Sequence, residues 1–262
     1  MRRIFRDDGR TVIVPMDHGV SVGPIPGLDD MTKTVGHLVK GGADAVLVHA
    51  GIAKTVNNGD TGLILHLSGA TRMTSDPNWK TQLSSVREAI RLGADAVSVH
   101  INVGSQREQD MLENFSKIRD ECEDYGIPTL AMMYPRGPSI PNEHAFEAVS
   151  HAARLGYELG ADIVKTNYTG DLDSFHRVVQ SVQAPIVVAG GPRAKNDSEV
   201  LTMIHESIRA GASGVSIGRN IFQHQNPTTM TQAIVSIVHE NKSSREAGAL
   251  LGERSERVLA RA

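Results

Sequence analysis

Cysteine is almost missing from this sequence. The single thiol, Cys122, excludes an intrachain disulfide and a cysteine-based metal cluster. It falls among acidic residues in a helical pattern, where it reads as a bystander. Apolar runs of the roughly 18 residues that a membrane-crossing helix needs are missing too. Residues 1–8 are charged and no apolar stretch of signal-peptide length follows them. The expectation is a cytoplasmic protein with no membrane partner. Basic excess is also absent: 27 Lys and Arg against 30 Asp and Glu, scattered rather than blocked, leave a net charge of −3. That balance argues against nucleic acid as a partner.

What the 262 residues do contain is an ordinary globular composition, 40% hydrophobic and 22% charged, enough for one large α/β domain or two small ones. Four segments echo one another: Gly42-Ala43-Asp44-Ala45-Val46, Gly93-Ala94-Asp95-Ala96-Val97, Gly160-Ala161-Asp162-Ile163-Val164 and Gly211-Ala212-Ser213-Gly214-Val215. Each ends a helical pattern on glycine and opens an apolar run, as a helix C-cap followed by a buried parallel strand would. Their spacings of 51, 67 and 51 residues leave room for two strand-helix units between each pair. Eight strands are therefore predicted, at residues 11–16, 45–48, 62–67, 96–99, 129–133, 163–166, 185–189 and 214–217. Amphipathic helical stretches fall between them at 84–92, 106–125, 143–159, 198–210 and 228–239, with 51–61 the weakest. Eight alternating units in this length predict a single (β/α)8 TIM barrel over residues 1–262, with no linker and no second domain. The tail, residues 243–262, reads as an extra helix whose stripe of Leu250, Leu251, Val258 and Leu259 packs on the barrel or on a neighbouring subunit.

A barrel of this kind carries its active site at the carboxyl ends of its strands. The polar residues there are Asp17-His18-Gly19, His49, His66, His100, Tyr134-Pro135-Arg136, Lys165, Gly190-Gly191 and Gly218-Arg219, in strand order. The two glycine pairs follow strands seven and eight, where backbone amides and a guanidinium can receive a phosphate. Their plainer alternative is a pair of tight turns. Lys165 sits within an apolar strand, where an ammonium ion is expensive to bury unless it is paired or deprotonated. It can pair with the phosphate, attack a carbonyl as a neutral amine to form a Schiff base, or make an internal ion pair with Asp17. Burial and the charge of Arg219 both lower its pKa, which favours the nucleophile. Schiff-base chemistry also needs a proton donor and a base. Tyr134 on the neighbouring strand and Asp17 across the mouth can fill these roles, although a core-edge phenol and a loop-capping carboxylate are the bland alternatives. His18, His49, His66 and His100 offer a rival, a zinc site of three imidazoles with an open position. The expected site holds no metal and no cofactor, with the histidines bonded to substrate oxygens or to each other.

The stretches VIVPMDHGVSVGP, LILHLSG, AMMYPRG, ADIVKTNYTGD, VVAGGP and VSIGRNIFQH resemble the archaeal class I aldolase family of the DhnA type, from about Arg3 to about Glu240. The resemblance implies a TIM barrel with Lys165 as the Schiff-base lysine, Tyr134 as proton donor and Asp17 as proton acceptor. It places phosphosugar contacts on Asp17, His18, Gly19, Val20 and Ser21, on Tyr134, Pro135 and Arg136, on Lys165, and on Gly190, Gly191, Gly218 and Arg219. The activity it implies is a transaldolase reaction between 6-deoxy-5-ketofructose 1-phosphate and L-aspartate semialdehyde, on an archaeal route to 3-dehydroquinate and the aromatic amino acids. It also implies a homo-oligomer, up to a decamer. Fructose-bisphosphate aldolase, a sugar-phosphate isomerase and a non-catalytic phosphometabolite-binding barrel are the alternatives.

Overall fold

The structure, a computed structural model, describes residues 1–259. Eight strands form its centre: β1 (Thr11–Pro15), β2 (Ala45–Val48), β3 (Gly62–His66), β4 (Ala96–Val103), β5 (Thr129–Pro135), β6 (Ile163–Thr166), β7 (Ile186–Ala189) and β8 (Gly214–Ser216). Each pairs in parallel with its sequence neighbours, and β8 closes on β1 through Ile13 opposite Ser216. The predicted TIM barrel is thus the observed one.

Period-two alternation sorts the strand residues into two cores. Ile13, Leu47, Ile64, Leu130, Met132, Ile163 and Val187 fill the barrel interior, with Ile4 and Phe5 packed against them. Val14, Val46, Leu65, Val99, Met133, Val164 and Val215 face outward and join the apolar stripes of the surrounding helices. Those helices include Glu108–Tyr125, Phe146–Glu158, Asp197–Arg209 and Pro227–Glu240, each within a few residues of its predicted span. Met31–Gly41, Val86–Arg91 and Leu172–Gln180 complete the set, and all three carry a signal at their start: Asp30 accepts from the Lys33 amide, Ser85 from the Glu88 amide and Asp171 from the Ser174 amide. The weak stretch at 51–61 holds a single short helix, Ala50–Ala53.

The repeated Gly-Ala-Asp phrase has two structural duties. Gly42, Gly93, Gly160 and Gly211 all adopt positive φ, between 72° and 103°, ending the helix in a conformation that a side chain disfavours. The aspartate then reaches sideways to the start of the preceding strand. Asp44 accepts from Val12 N at 2.7 Å, Asp95 from Leu63 N at 2.8 Å and Asp162 from Thr129 N at 2.7 Å. Each carboxylate adds one rung where the ladder begins and gives the first strand amide there a partner.

The tail helix, Ser244–Leu259, lies on the outer helices, with Ala247 fully buried and Leu251 packed against the core. Its described part packs on the helices Asp197–Arg209 and Pro227–Glu240. The side chains of Val258 and Leu259, and residues 260–262, lie outside the described residues.

Candidate active site

The alternation that fills the barrel with aliphatic residues ends, at the carboxyl rim, on polar ones. Leu47 is followed two residues later by His49, Ile64 by His66, Met132 by Tyr134 and Ile163 by Lys165, so the same inward face changes from apolar to reactive. These side chains line one open cleft of about 800 Å³, together with Asp17, His18, Ser21, His100, Arg136, Gly190, Gly191, Gly218 and Arg219. Gly19, Val20 and Pro135 are not among the lining residues. Pro135 ends β5 against Val103, and the Val20 side chain lies beside Gly69.

Lys165 is 5% exposed, between Met132 and Val187 of the adjoining strands. Among the described residues it forms no ion pair, so an internal bridge to Asp17 is not what holds it. Burial lowers its pKa to about 8; the Asp17 carboxylate opposes that shift and the Arg219 guanidinium adds to it. Close to a tenth of the amine is then neutral at pH 7, far more than for a lysine in water.

Asp17 is surrounded by imidazoles. His18 Nδ1 is 3.6 Å from one carboxylate oxygen and His66 Nε2 is 3.7 Å from the other. Burial alone would raise the Asp17 pKa, but the attraction of His66 and His18 in their protonated forms, and of the Lys165 ammonium, outweighs it and places the group below the usual carboxylate range. Burial pushes His66 down to about 3 and also lowers His18, His49 and His100, so these rings are neutral at pH 7. One ring nitrogen of each of three has a hydrogen-bond partner, while His18 Nδ1 is buried without one among the described residues. His66 Nδ1 lies 2.7 Å from Ser98 Oγ, His49 Nδ1 donates to the His66 carbonyl at 3.1 Å, and His100 Nε2 donates to Asn102 Oδ1 at 2.8 Å. Among the described residues no group of three His, Cys, Asp or Glu side chains is placed to hold a metal ion.

Tyr134 is 8% exposed, its ring packed edge-on against His100 at 4.9 Å between centroids. Burial and the negative charge of Asp17 raise its pKa, keeping the phenol protonated and able to donate. Arg136, one turn of the loop beyond, is paired with Glu143 at 2.7 Å.

The two glycine pairs line the same cleft and are linked through Asn220. Gly191 has φ of 62°, and a Cβ on Gly218 would stand 2.5 Å from the Pro15 carbonyl, so both loops depend on glycine. Buried Asn220 joins them, donating to the Gly190 carbonyl at 2.9 Å and accepting from Ala194 N at 2.8 Å. Arg219 Nε and Ser216 Oγ are buried with no hydrogen-bond partner among the described residues, which leaves both able to bond an anion in the cleft. Arg72 and Arg193 line the same cleft; burial lowers the Arg219 pKa, and nearby Arg72 lowers it further.

Sequence reasoning missed Arg72, Asn78, Lys80, Asn167, Arg193 and Ser216, all of which line the cleft. Asn167 and Ser216 are inward residues that the same period-two count would have found, two beyond Lys165 and two before Gly218. Arg72, Asn78 and Lys80 belong to the long loop after β3, where no periodicity exists to read.

Residues 11–224 match the DeoC/LacD family of aldolases. The chain is 44% identical to the 2-amino-3,7-dideoxy-D-threo-hept-6-ulosonate synthase of Halobacterium salinarum over 254 residues, spanning 96% of this chain and 95% of that protein. A protein of the same name from Archaeoglobus fulgidus, designated synthase 1, is 46% identical over 249 residues, 94% of this chain and 92% of that one. Among solved structures, a Schiff-base-forming fructose-1,6-bisphosphate aldolase superposes with a TM-score of 0.87 at 33% identity, covering 90% of this chain and 97% of the other.

Proposed function

The chain belongs to the DeoC/LacD family of aldolases, and from that premise we propose that it is a lysine Schiff-base transaldolase that forms 2-amino-3,7-dideoxy-D-threo-hept-6-ulosonate. The observation that carries the reading is Lys165: buried in a strand, free of any ion pair among the described residues, and lowered to about 8 beside an ionised carboxylate and a protonated phenol. The 44% and 46% identities to synthases of that name, over nearly whole chains, support the choice of product.

In this reading the neutral Lys165 amine attacks the ketone of a phosphosugar donor, such as 6-deoxy-5-ketofructose 1-phosphate. Tyr134 protonates the carbinolamine oxygen, which leaves as water, and an iminium ion remains. Ionised Asp17 stabilises that positive charge and accepts the proton of the donor hydroxyl as the C–C bond breaks. The bonding electrons pass to the iminium nitrogen, giving a three-carbon enamine, and a phosphorylated aldehyde departs. The enamine carbon then adds to the aldehyde of L-aspartate semialdehyde, whose oxygen takes the proton, and water hydrolyses the new imine to free product and lysine. Three carbons and four make the seven of the product. No step calls for a metal or a cofactor. Arg219, Ser216 and the glycine loops hold the donor. A cytoplasmic enzyme of aromatic amino acid synthesis that assembles with its own copies, up to a decamer, completes the reading and is supported by the motif resemblance.

The test is borohydride reduction in the presence of the donor, followed by peptide mass mapping. A reduced adduct on Lys165 is the expected result, and no adduct under turnover conditions would end the Schiff-base reading. A second reading, cleavage of fructose 1,6-bisphosphate, is favoured by the likeness to the solved aldolase. Rapid cleavage of fructose 1,6-bisphosphate, without condensation of the deoxyketohexose phosphate and L-aspartate semialdehyde, would select it.

A further inference from the structure

The loop between β7 and the helix Asp197–Arg209 has a front and a back. Gly190, Gly191 and Arg193 line the cleft, whereas Pro192 and Ala194 of the same loop do not. Asn220 does not line it either. It follows Gly218 and Arg219 in the short helix Arg219–Phe222 and is 5% exposed. From behind the loop, its side chain bonds three backbone groups. Nδ2 donates to the Gly190 carbonyl at 2.9 Å and to the Pro192 carbonyl at 3.2 Å, and Oδ1 accepts from Ala194 N at 2.8 Å. Both hydrogens of the amide are thereby engaged.

Which groups it takes decides what the front of the loop offers. In a planar trans peptide the C=O and the N–H of the next residue point in opposite directions. Asn220 draws the Gly190 and Pro192 carbonyls to the back, so the Gly191 and Arg193 amides face the other way. Neither amide has a hydrogen-bond partner among the described residues. Gly191, with φ of 62°, supplies the left-handed residue that amide nests for anions use. Without the grip on the carbonyls, either peptide could turn over and present an oxygen, which repels phosphate.

The same side chain locks this loop to the one after β8. Asn220 adjoins Arg219, whose buried Nε has no partner among the described residues. A second tie lies farther along, where His224 Nε2 is 3.1 Å from Asp197 Oδ2 at the start of the helix that the loop enters. The guanidinium and the two amides are therefore held at a fixed separation by contacts outside the cleft.

We propose that Asn220 is a positioning residue for the donor phosphate: it grips the carbonyls of Gly190 and Pro192 and so aims the amides of Gly191 and Arg193 at the anion, without touching it. The inference rests on the reading that these loops hold the donor. Inorganic phosphate tests it apart from the chemistry at Lys165.

Wild type and Asn220→Ala are compared by calorimetric titration with inorganic phosphate, by donor kinetics, and by borohydride trapping on Lys165 with two ketones. One ketone is 6-deoxy-5-ketofructose 1-phosphate; the other is hydroxyacetone, the phosphate-free counterpart of the three-carbon fragment. In Asn220→Ala the phosphate Kd and the donor KM should rise about 10- to 100-fold, with kcat lowered far less. The trapping rate with subsaturating donor should fall by a similar factor relative to that with hydroxyacetone. An unchanged phosphate Kd, or equal losses with the two ketones, would overturn the proposal, the second because it marks general damage to the fold. If neither ketone is trapped in the wild type, the Schiff-base reading fails and the phosphate titration alone decides the role of Asn220. Should Asn220→Ala fail to fold, the wild type is titrated with phosphate by amide NMR. The Gly191 and Arg193 resonances should shift more than that of Ala194, and no shift at the first two would refute the assignment.

Discussion

Lys165 has a chemical use only because the fold makes it unstable as an ammonium ion. Its pKa is about 8 in the folded chain against 10.5 for an ordinary lysine, so the unfolded chain holds a proton that the folded one loses between those values. The sign follows: below about 8 both states are protonated and the fold carries the full penalty, which is relieved as pH rises from about 8 toward 10.5. At pH 7 the penalty is on the order of 3 kcal/mol. Lys165→Met should therefore be inactive yet more stable than wild type at pH 7 by up to about 3 kcal/mol in urea unfolding, and the difference should narrow by pH 9. The same lowered pKa governs the chemistry. Imine formation needs the neutral amine, so the single-turnover trapping rate should rise through about pH 8 and level above it. Asp17 opposes the shift, and Asp17→Asn should move that rise to lower pH while slowing turnover. Tyr134 acts through a proton it keeps. Tyr134→Phe should lower kcat about 10²- to 10⁴-fold with donor still trapped more slowly on Lys165, as befits a general acid.

At the scale of elements, the aspartates of the repeated phrase show what a sequence pattern can and cannot reveal. Gly160-Ala161-Asp162 was legible as a helix end before a strand, because the glycine and the apolar run are local signals. The carboxylate's partner was not, since Thr129 lies 33 residues away and is reached only once the barrel closes. Asp162 accepts from both the amide and the hydroxyl of Thr129, at 2.7 and 3.0 Å. Asp162→Ala leaves that amide without a partner and should cost about 1–3 kcal/mol in urea unfolding. The site divides in the same way. Lys165, Tyr134, Asp17 and the histidines were legible because strand alternation fixes which face they take, and polar residues interrupting an apolar face stand out. Lys80, Asn78 and Arg72 come from a long loop, and what brings them to the cleft is Asn102 on β4 and the short pairing of Ser68–Gly69 with Thr81–Gln82. Those are contacts between loop and strand, with no period to announce them.

At the scale of the whole molecule, a net charge of −3 conceals a strongly uneven distribution. Lys80, Lys165, Arg72, Arg193 and Arg219 all line one cleft in which Asp17 is the carboxylate present, while elsewhere acids and bases pair along helices, as in Lys117–Glu113 and Arg154–Glu158. A concave, partly desolvated wall of one sign focuses its field into the opening and raises the capture rate of ligands of the other sign. Composition could not have disclosed this, because the charges converge from four separate stretches of chain. The consequence is kinetic. If the cleft captures phosphosugars through its field, raising ionic strength from roughly 0.01 to 0.15 M shortens the Debye length from about 30 to about 8 Å. The outer part of that attraction is then screened while contacts inside the cleft persist. The donor kcat/KM should fall accordingly, with kcat nearly constant. Arg72→Gln, which removes an exposed charge at the mouth, should flatten the salt dependence. A donor kcat/KM indifferent to salt in the wild type would show that capture does not draw on the field, and that the arginines serve only as direct ligands.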